Sequence, residues 1–215
     1  MKKPIVIAFS GGCFSGKTST IEALEKILIS KNIKVIKLNE LMRNFTKNLS
    51  IDTLRTKFPN RYFKIEKQVI SNKISDEEKA KKFYKDDTCV MLIDRALTDS
   101  LFYYENYVRP IELASYKDKE EYYKFHSYLI DKIKEHFAKI YDLLVEFKPL
   151  DAQNNKDNIN RPDDAALSNK YEYECIKRLN FYYSINTGIK SMEADLTSSN
   201  SNDLIYKILK KIGLE

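Results

Sequence analysis

The residues with the plainest chemical content are Gly11-Gly12-Cys13-Phe14-Ser15-Gly16-Lys17-Thr18, which fill the pattern G-x-x-x-x-G-K-[ST]. Glycines at this spacing let successive backbone N–H groups turn inward around phosphate oxygens, and a helix starting there aims its positive end at the same anion. Lys17 is then set to reach the β- and γ-phosphates of a triphosphate. The Thr18 hydroxyl is set to ligate magnesium, a hard ion that takes oxygen ligands and keeps several waters. The stretch Gly11 to Ser19 is therefore expected to hold ATP with Mg2+.

Such a loop needs a strand before it and a helix after it. Pro4 to Ser10 is a short apolar run of strand type, and Ser19 to Ser30 places Ile21, Leu24, Ile27 and Leu28 at helical spacing. Further on, Ile33 to Leu38 alternates as a second strand ending at Asn39-Glu40, and Cys89 to Ile93 is a continuous apolar run suited to a central parallel strand. Tyr141 to Phe147 gives a fourth strand and Phe181 to Asn186 a fifth.

Helical patterns fill the intervals: Leu41 to Asn48, Phe58 to Tyr84 with Ser75 capping a later stretch, a helix begun near Leu97 and stopped by Pro110, Lys117 to Lys139, Asp164 to Leu179, and Asp203 to Ile212. Strands alternating with helices predict an α/β protein of the P-loop NTPase fold. Its parallel sheet has about five strands flanked by helices, with right-handed crossovers and ligands at the carboxyl ends of the strands.

That order brings the loops after strands one, two and three to one crevice, so Glu40 and Asp94-Arg95 are expected to face the phosphate loop. Glu40 has two readings: a base that takes the proton of an attacking hydroxyl, or an acidic residue favouring a helix N-terminus. Asp94 is placed to hold magnesium through water. Arg95 and Asp99 have the spacing of an ordinary i,i+4 helical pair.

Composition sets wider bounds. A chain of 215 residues, 43% hydrophobic, suits a single domain spanning 1–215. Its charge of +6 comes from 37 Lys and Arg against 31 Asp and Glu, which suits an anionic small ligand and does not demand nucleic acid. Cys13, Cys89 and Cys175 are three and far apart, so no disulfide framework or zinc site is expected and a reducing cytoplasmic setting follows. The apolar N-terminal run is too short for a signal core or a spanning helix, so no membrane association is expected. His126 and His136 lie on one charged helix without metal-site spacing and read as structural. Of the 15 tyrosines, Tyr62, Tyr103 and Tyr104 are the ones set to line an acceptor pocket.

Taken in order, Gly11 to Thr18, Glu40-Leu41-Met42-Arg43, Gln68, Asp94-Arg95 with Asp99 and Tyr103, and Arg161-Pro162-Asp163-Asp164 resemble the P-loop small-molecule kinases. The likeness is to those grouped with the ribosylnicotinamide kinase domain of bacterial NAD regulators, and more distantly to deoxynucleoside kinases. The resemblance implies an acceptor-activating carboxylate at Glu40, an acid and arginine pair at Asp94-Arg95, and a mobile lid carrying Arg161. The polar segment Asp151 to Asp164 is the expected lid.

The expected activity is ATP- and magnesium-dependent transfer of the γ-phosphate to a small nucleoside-type or nucleotide acceptor, with Lys17, Glu40, Asp94, Arg95 and Arg161 in the chemistry. For a monophosphate acceptor Arg43, Arg55, Arg61 and Arg109 offer extra cations. The alternative is a P-loop ATPase or nucleotide-dependent switch acting on a protein or nucleic-acid partner. Such motors usually carry a glutamate where Arg95 stands, and a GTPase would want N-K-x-D where Asn154-Asn155-Lys156-Asp157 only approximates it.

Overall fold

The computed structural model describes residues 3–12, 15–42, 51–150, 165–197 and 200–214. Among these, five strands form one parallel sheet in the order β2-β3-β1-β4-β5. The strands are β1 (Ile5–Ser10), β2 (Lys34–Leu38), β3 (Cys89–Asp94), β4 (Leu143–Phe147) and β5 (Lys190–Ala194). The helices are α1 (Lys17–Ser30), α2 (Ile51–Lys57), α3 (Pro59–Phe83), α4 (Leu97–Tyr107), α5 (Tyr116–Ile140), α6 (Ala165–Thr187) and α7 (Ser201–Lys211), with a 3-10 turn at Pro110–Glu112.

The central strands are apolar on both faces because helices cover both. Val6, Ala8, Met91, Ile93 and Leu144 face the layer built from α3, α4, α5 and α6. Ile7, Phe9, Leu92 and Val145 face α1 and α7. All of these residues are fully buried, and each large one contributes roughly 1.5–3 kcal/mol of transfer free energy. Register places Phe9 beside Asp94 and Ser10 beside Glu146, so the carboxyl ends of three adjacent strands meet at the phosphate loop.

Helix ends follow the local chemistry. The Ser115 hydroxyl accepts the Asp118 N–H at 3.1 Å and the Asn200 side chain accepts the Asp203 N–H at 2.8 Å, capping α5 and α7. Pro59 opens α3, where its missing N–H costs nothing. That helix runs unbroken to Phe83, so Ser75 lies inside it and does not start a new one. Most of the helix expected over 41–48, and the whole lid segment 151–164, lie outside the described residues.

The fifth strand is where the sequence expectation is corrected. Phe181 to Asn186 belongs to α6, and the strand lies further on at Lys190–Ala194. The aromatic run has strand character, yet Tyr173, Ile176, Asn180 and Tyr183 are buried at spacings of three and four while Phe181, Tyr182 and Ile185 face solvent. Helical packing against the neighbouring layer overrides local propensity. The true edge strand, Lys-Ser-Met-Glu-Ala, has only Ala194 buried, so it has little apolar signal to read.

The helical assignment predicts an asymmetry between neighbours in sequence. Tyr183→Ala should cost about 3–5 kcal/mol, whereas Phe181→Ala should stay within about 0.5 kcal/mol of wild type by chemical denaturation. Equal losses would restore the strand.

Candidate functional site

The loop begins at Gly11, whose φ of 138° lies in the region that disfavours side chains; a Cβ there would stand 2.7 Å from the Phe147 carbonyl oxygen. Glycine is required by both backbone angle and space. The Gly11 N–H donates to Asp99 Oδ1 at 2.8 Å, and the other carboxylate oxygen takes the Ala96 N–H at 2.9 Å. Burial pushes the Asp99 carboxyl up, against the pull of the Arg95 and Lys17 charges and of the Gly11 N–H. Asp99 is thus bonded to the loop and to the start of α4, while the hydrogen-bonded ion pair of Arg95 goes to Glu40. The expected Arg95–Asp99 pair is replaced.

Lys17 is buried and folds back over its own loop, donating to the Gly11 oxygen at 2.8 Å, the Gly12 oxygen at 2.6 Å and Ser15 Oγ at 3.1 Å. Ser15 and Gly16 carry the turn into α1, Gly16 with φ 86° at its N-cap. Thr18 and Ser19 are exposed at the helix start. Cys13 and Phe14 lie outside the described residues. Thr18 Oγ1 approaches Asp94 Oδ2 at 3.4 Å, so the two expected magnesium ligands stand together at the end of β3. Two oxygen donors side by side, one a nearly buried carboxylate, fit a hard cation that also takes phosphate and water oxygens. No cluster of three or more His, Cys, Asp or Glu side chains that could hold a metal occurs among the described residues.

Arg95 adopts φ 69°, a left-handed backbone that costs a non-glycine residue roughly 1–2 kcal/mol. Its side chain explains the posture: Nε donates to Glu40 Oε1 at 2.6 Å, Nη1 donates to the Tyr103 hydroxyl at 2.9 Å, and the guanidinium lies 4.8 Å from the Tyr103 ring centre. Glu40 and Arg95 are each less than a fifth exposed. Strain of this kind gathers at sites where a side chain must be aimed.

Two clefts meet here. One, of about 280 Å³, runs from Glu40, Asp94 and Arg95 inward between α2, α3, α4 and α6. The other, of about 540 Å³, reaches Thr18 and Lys37, and shares Glu40, Asp94 and Lys73 with the first. The inner cleft is near the lower size of small-molecule pockets, ~300 Å³, so it suits one compact ligand. Tyr62 and Tyr103 line it as expected, but Tyr104 is fully buried and stacks on Tyr122 at 4.9 Å.

Several of its residues were not anticipated. Glu172 from α6 takes the Tyr107 hydroxyl at 2.7 Å and the Tyr103 hydroxyl at 3.3 Å. Arg55 of α2, one of the four arginines named as cations for an acceptor phosphate, also lines this cleft and lies 3.9 Å from the Tyr107 ring centre. Glu66 of α3, 4% exposed, accepts the Tyr62 hydroxyl. A signal existed: Glu66 and Glu77 sit in the stripe Tyr62, Val69, Ile70, Ile74 that faces the interior, where an unexplained carboxylate marks a site. Gln68, by contrast, is exposed. Of the other arginines, Arg61 is exposed, Arg109 pairs with Glu112 at the surface, and Arg43 and Arg161 lie outside the described residues.

The histidines each have a carboxylate, supplied by other helices. His126 meets Glu105 at 2.7 Å, and buried His136 meets Glu77 at 2.7 Å. Burial alone would raise the Glu77 carboxyl, but Lys73 and His136 outweigh it and hold it below its usual value. These pairs are structural, and the second braces Tyr141, whose hydroxyl accepts the Leu97 N–H at 3.1 Å.

This geometry defines a P-loop nucleotide-binding protein of the parallel α/β class. A family model described as an AAA domain matches residues 6–180, and the chain belongs to that family. In fold it is similar to thymidylate kinase from Candida albicans, with a TM-score of 0.57 at 12% identity over 99% of this chain and 92% of that one. No curated protein matches it in sequence. No helix among the described residues is long and apolar enough to cross a membrane.

Glu66 gives a pH test. Burial raises its carboxyl to about 7, against the Tyr62 hydrogen bond and the Arg95 charge. A carboxyl whose folded value exceeds its unfolded one stabilises the fold below about 4.5 and loses that contribution as pH rises to 7. Glu66→Gln should therefore match wild type at pH 4.5 and exceed it at pH 8, by about 3 kcal/mol at most. Thermal melts at both pH values measure the difference; equal offsets at the two would remove the charge argument.

Proposed function

We propose that this protein is a kinase that uses ATP and magnesium to phosphorylate a small nucleoside-type or nucleotide acceptor, acting as a single domain. The observation that carries the reading is the junction of two clefts at Glu40 and Asp94, one reaching the phosphate loop at Thr18 and the other of a size that suits a compact ligand. The second, tyrosine-lined cleft offers room for an acceptor beside the phosphate loop, and Arg95 occupies the place where a water-polarising glutamate would stand. The thymidylate kinase likeness in fold and the sequence resemblance to ribosylnicotinamide kinases support the same class of acceptor.

The work of each residue follows from its surroundings. Lys17 exchanges its loop carbonyls for phosphate oxygens, and the glycine-rich turn that starts at Gly11, with Gly12 and Gly16 after it, leaves later backbone N–H groups to meet them. Thr18 and Asp94 would hold magnesium, which when bound neutralises charge on the phosphate oxygens. Glu40 accepts the proton of the acceptor hydroxyl while Arg95, fixed by Tyr103, stands beside the transferring group. Arg161 enters this scheme from the resemblance alone, as the arginine of a lid that excludes water. A reducing cytoplasmic setting completes the reading.

Its test is an ATP-consumption screen against the common ribo- and deoxyribonucleosides, ribosylnicotinamide, and their monophosphates. Phosphorylated product from at least one is expected, and none would end the kinase reading. With that acceptor, Lys17→Ala should abolish transfer while the protein stays folded, and Glu40→Gln at saturating acceptor should lower kcat by roughly 10²–10⁴. An unchanged kcat would return Glu40 to a purely structural partner of Arg95.

A further inference from the structure

Among the described residues lining the inner cleft, Glu66 is a nearly buried carboxylate whose bonding is incomplete. One carboxylate oxygen accepts the Tyr62 hydroxyl. The other, Oε2, has no hydrogen-bond donor among the described residues, and it is not sealed in the interior, so it opens to the cleft that Glu66 lines. The residue itself is 4% exposed. Leaving a nearly buried carboxylate oxygen without a donor is destabilising, and natural interiors rarely tolerate it without a reason. Glu172, the other carboxylate of the inner wall, already accepts two tyrosine hydroxyls. Glu40 is taken by Arg95, and Asp94 adjoins Thr18.

We propose that Glu66 is a specificity residue of the acceptor site: its open oxygen receives a hydrogen bond from a hydroxyl or N–H of the acceptor other than the hydroxyl that is phosphorylated. This deepens the kinase reading and rests on it. Raised to about 7, the Glu66 carboxyl is ionised at pH 8 and there accepts only, so it selects for a neutral or cationic donor and against a phosphate, carbonyl or bare C–H at the same point. Tyr62, held rigid in the core at 2% exposure, fixes the carboxylate plane so that Oε2 keeps one direction. Arg55, Arg95 and Glu40 supply the nearby charges, and none of them donates a hydrogen bond to it.

The test pairs analogues with variants. Take the best nucleoside from the screen and remove its candidate donors singly: the 2′-hydroxyl, the 3′-hydroxyl, and each base N–H by methylation. In wild type assayed at pH 8, where Glu66 is ionised, one analogue should lose kcat/KM by about 10- to 150-fold, the range for a hydrogen bond to a charged group. In Glu66→Gln that same loss should shrink to less than about 10-fold, because the remaining bond is between neutral groups. The parent acceptor's KM should rise by about 10-fold or more in this variant, with kcat and the KM for ATP nearly unchanged.

Tyr62→Phe, which keeps the ring and frees the carboxylate to turn, should raise the acceptor KM in the same direction by a smaller factor. A purely structural role would move stability and both substrates together. If wild type phosphorylates a nucleoside yet Glu66→Gln leaves its KM within about 2-fold, or the analogue losses are equal in wild type and variant, the Glu66 assignment falls and the kinase reading stands. If wild type phosphorylates nothing in the screen, both fall.

Discussion

A carboxylate with no solvent exposure joins the two halves of the site. Asp99 accepts the Gly11 N–H on one oxygen and the Ala96 N–H on the other. An isolated buried charge would cost several kcal/mol, so its two backbone bonds and the nearby Arg95 and Lys17 charges are what make the position tenable. The bond to Gly11 fixes where the phosphate loop begins, and the bond to Ala96 fixes the first turn of α4. That helix carries Tyr103 and Tyr107 to the inner cleft, so the geometry of one cleft cannot be set independently of the other.

The same tie recurs one layer out. Asn180, deep in α6, donates to Ser10 Oγ at 2.8 Å and accepts the Thr98 hydroxyl, so the helix bearing Glu172 is pinned to β1 and to α4 at once. Buried polar groups of this kind add little net stability, but they penalise any other arrangement of the elements they join. Arg95 follows the same logic at backbone level: its left-handed conformation is held by Glu40 and Tyr103, both of them in the inner cleft.

The sequence was legible where chemistry is local. The phosphate loop, four of the five strands, and the meeting of Glu40 with Asp94 and Arg95 could be read because glycine spacing, apolar runs and strand order each carry a direct geometric meaning. The fifth strand could not. Phe181 to Asn186 has strand-forming residues on a helix whose burial is decided by packing, and Lys190 to Ala194 is a polar edge whose only instruction is its neighbour β4. Within the site, Glu66 and Glu172 escaped because two separate helices deliver them. The partner of Arg95 was likewise hidden: spacing offered Asp99, and tertiary structure chose Glu40, 55 positions away.

The way Lys17 sits has a consequence for which anions the loop admits. Its ammonium is already satisfied by two carbonyl oxygens and a hydroxyl. An incoming anion gains only the difference between its own oxygens and those, so a small, singly coordinated anion gains little. A polyphosphate chain that also engages the loop N–H groups, and the Thr18–Asp94 pair through a bound cation, would gain on several fronts at once. On the proposed reading the lysine would work as a threshold, an internal competitor that keeps abundant inorganic anions from occupying the loop and reserves it for ligands long enough to displace every one of its contacts together.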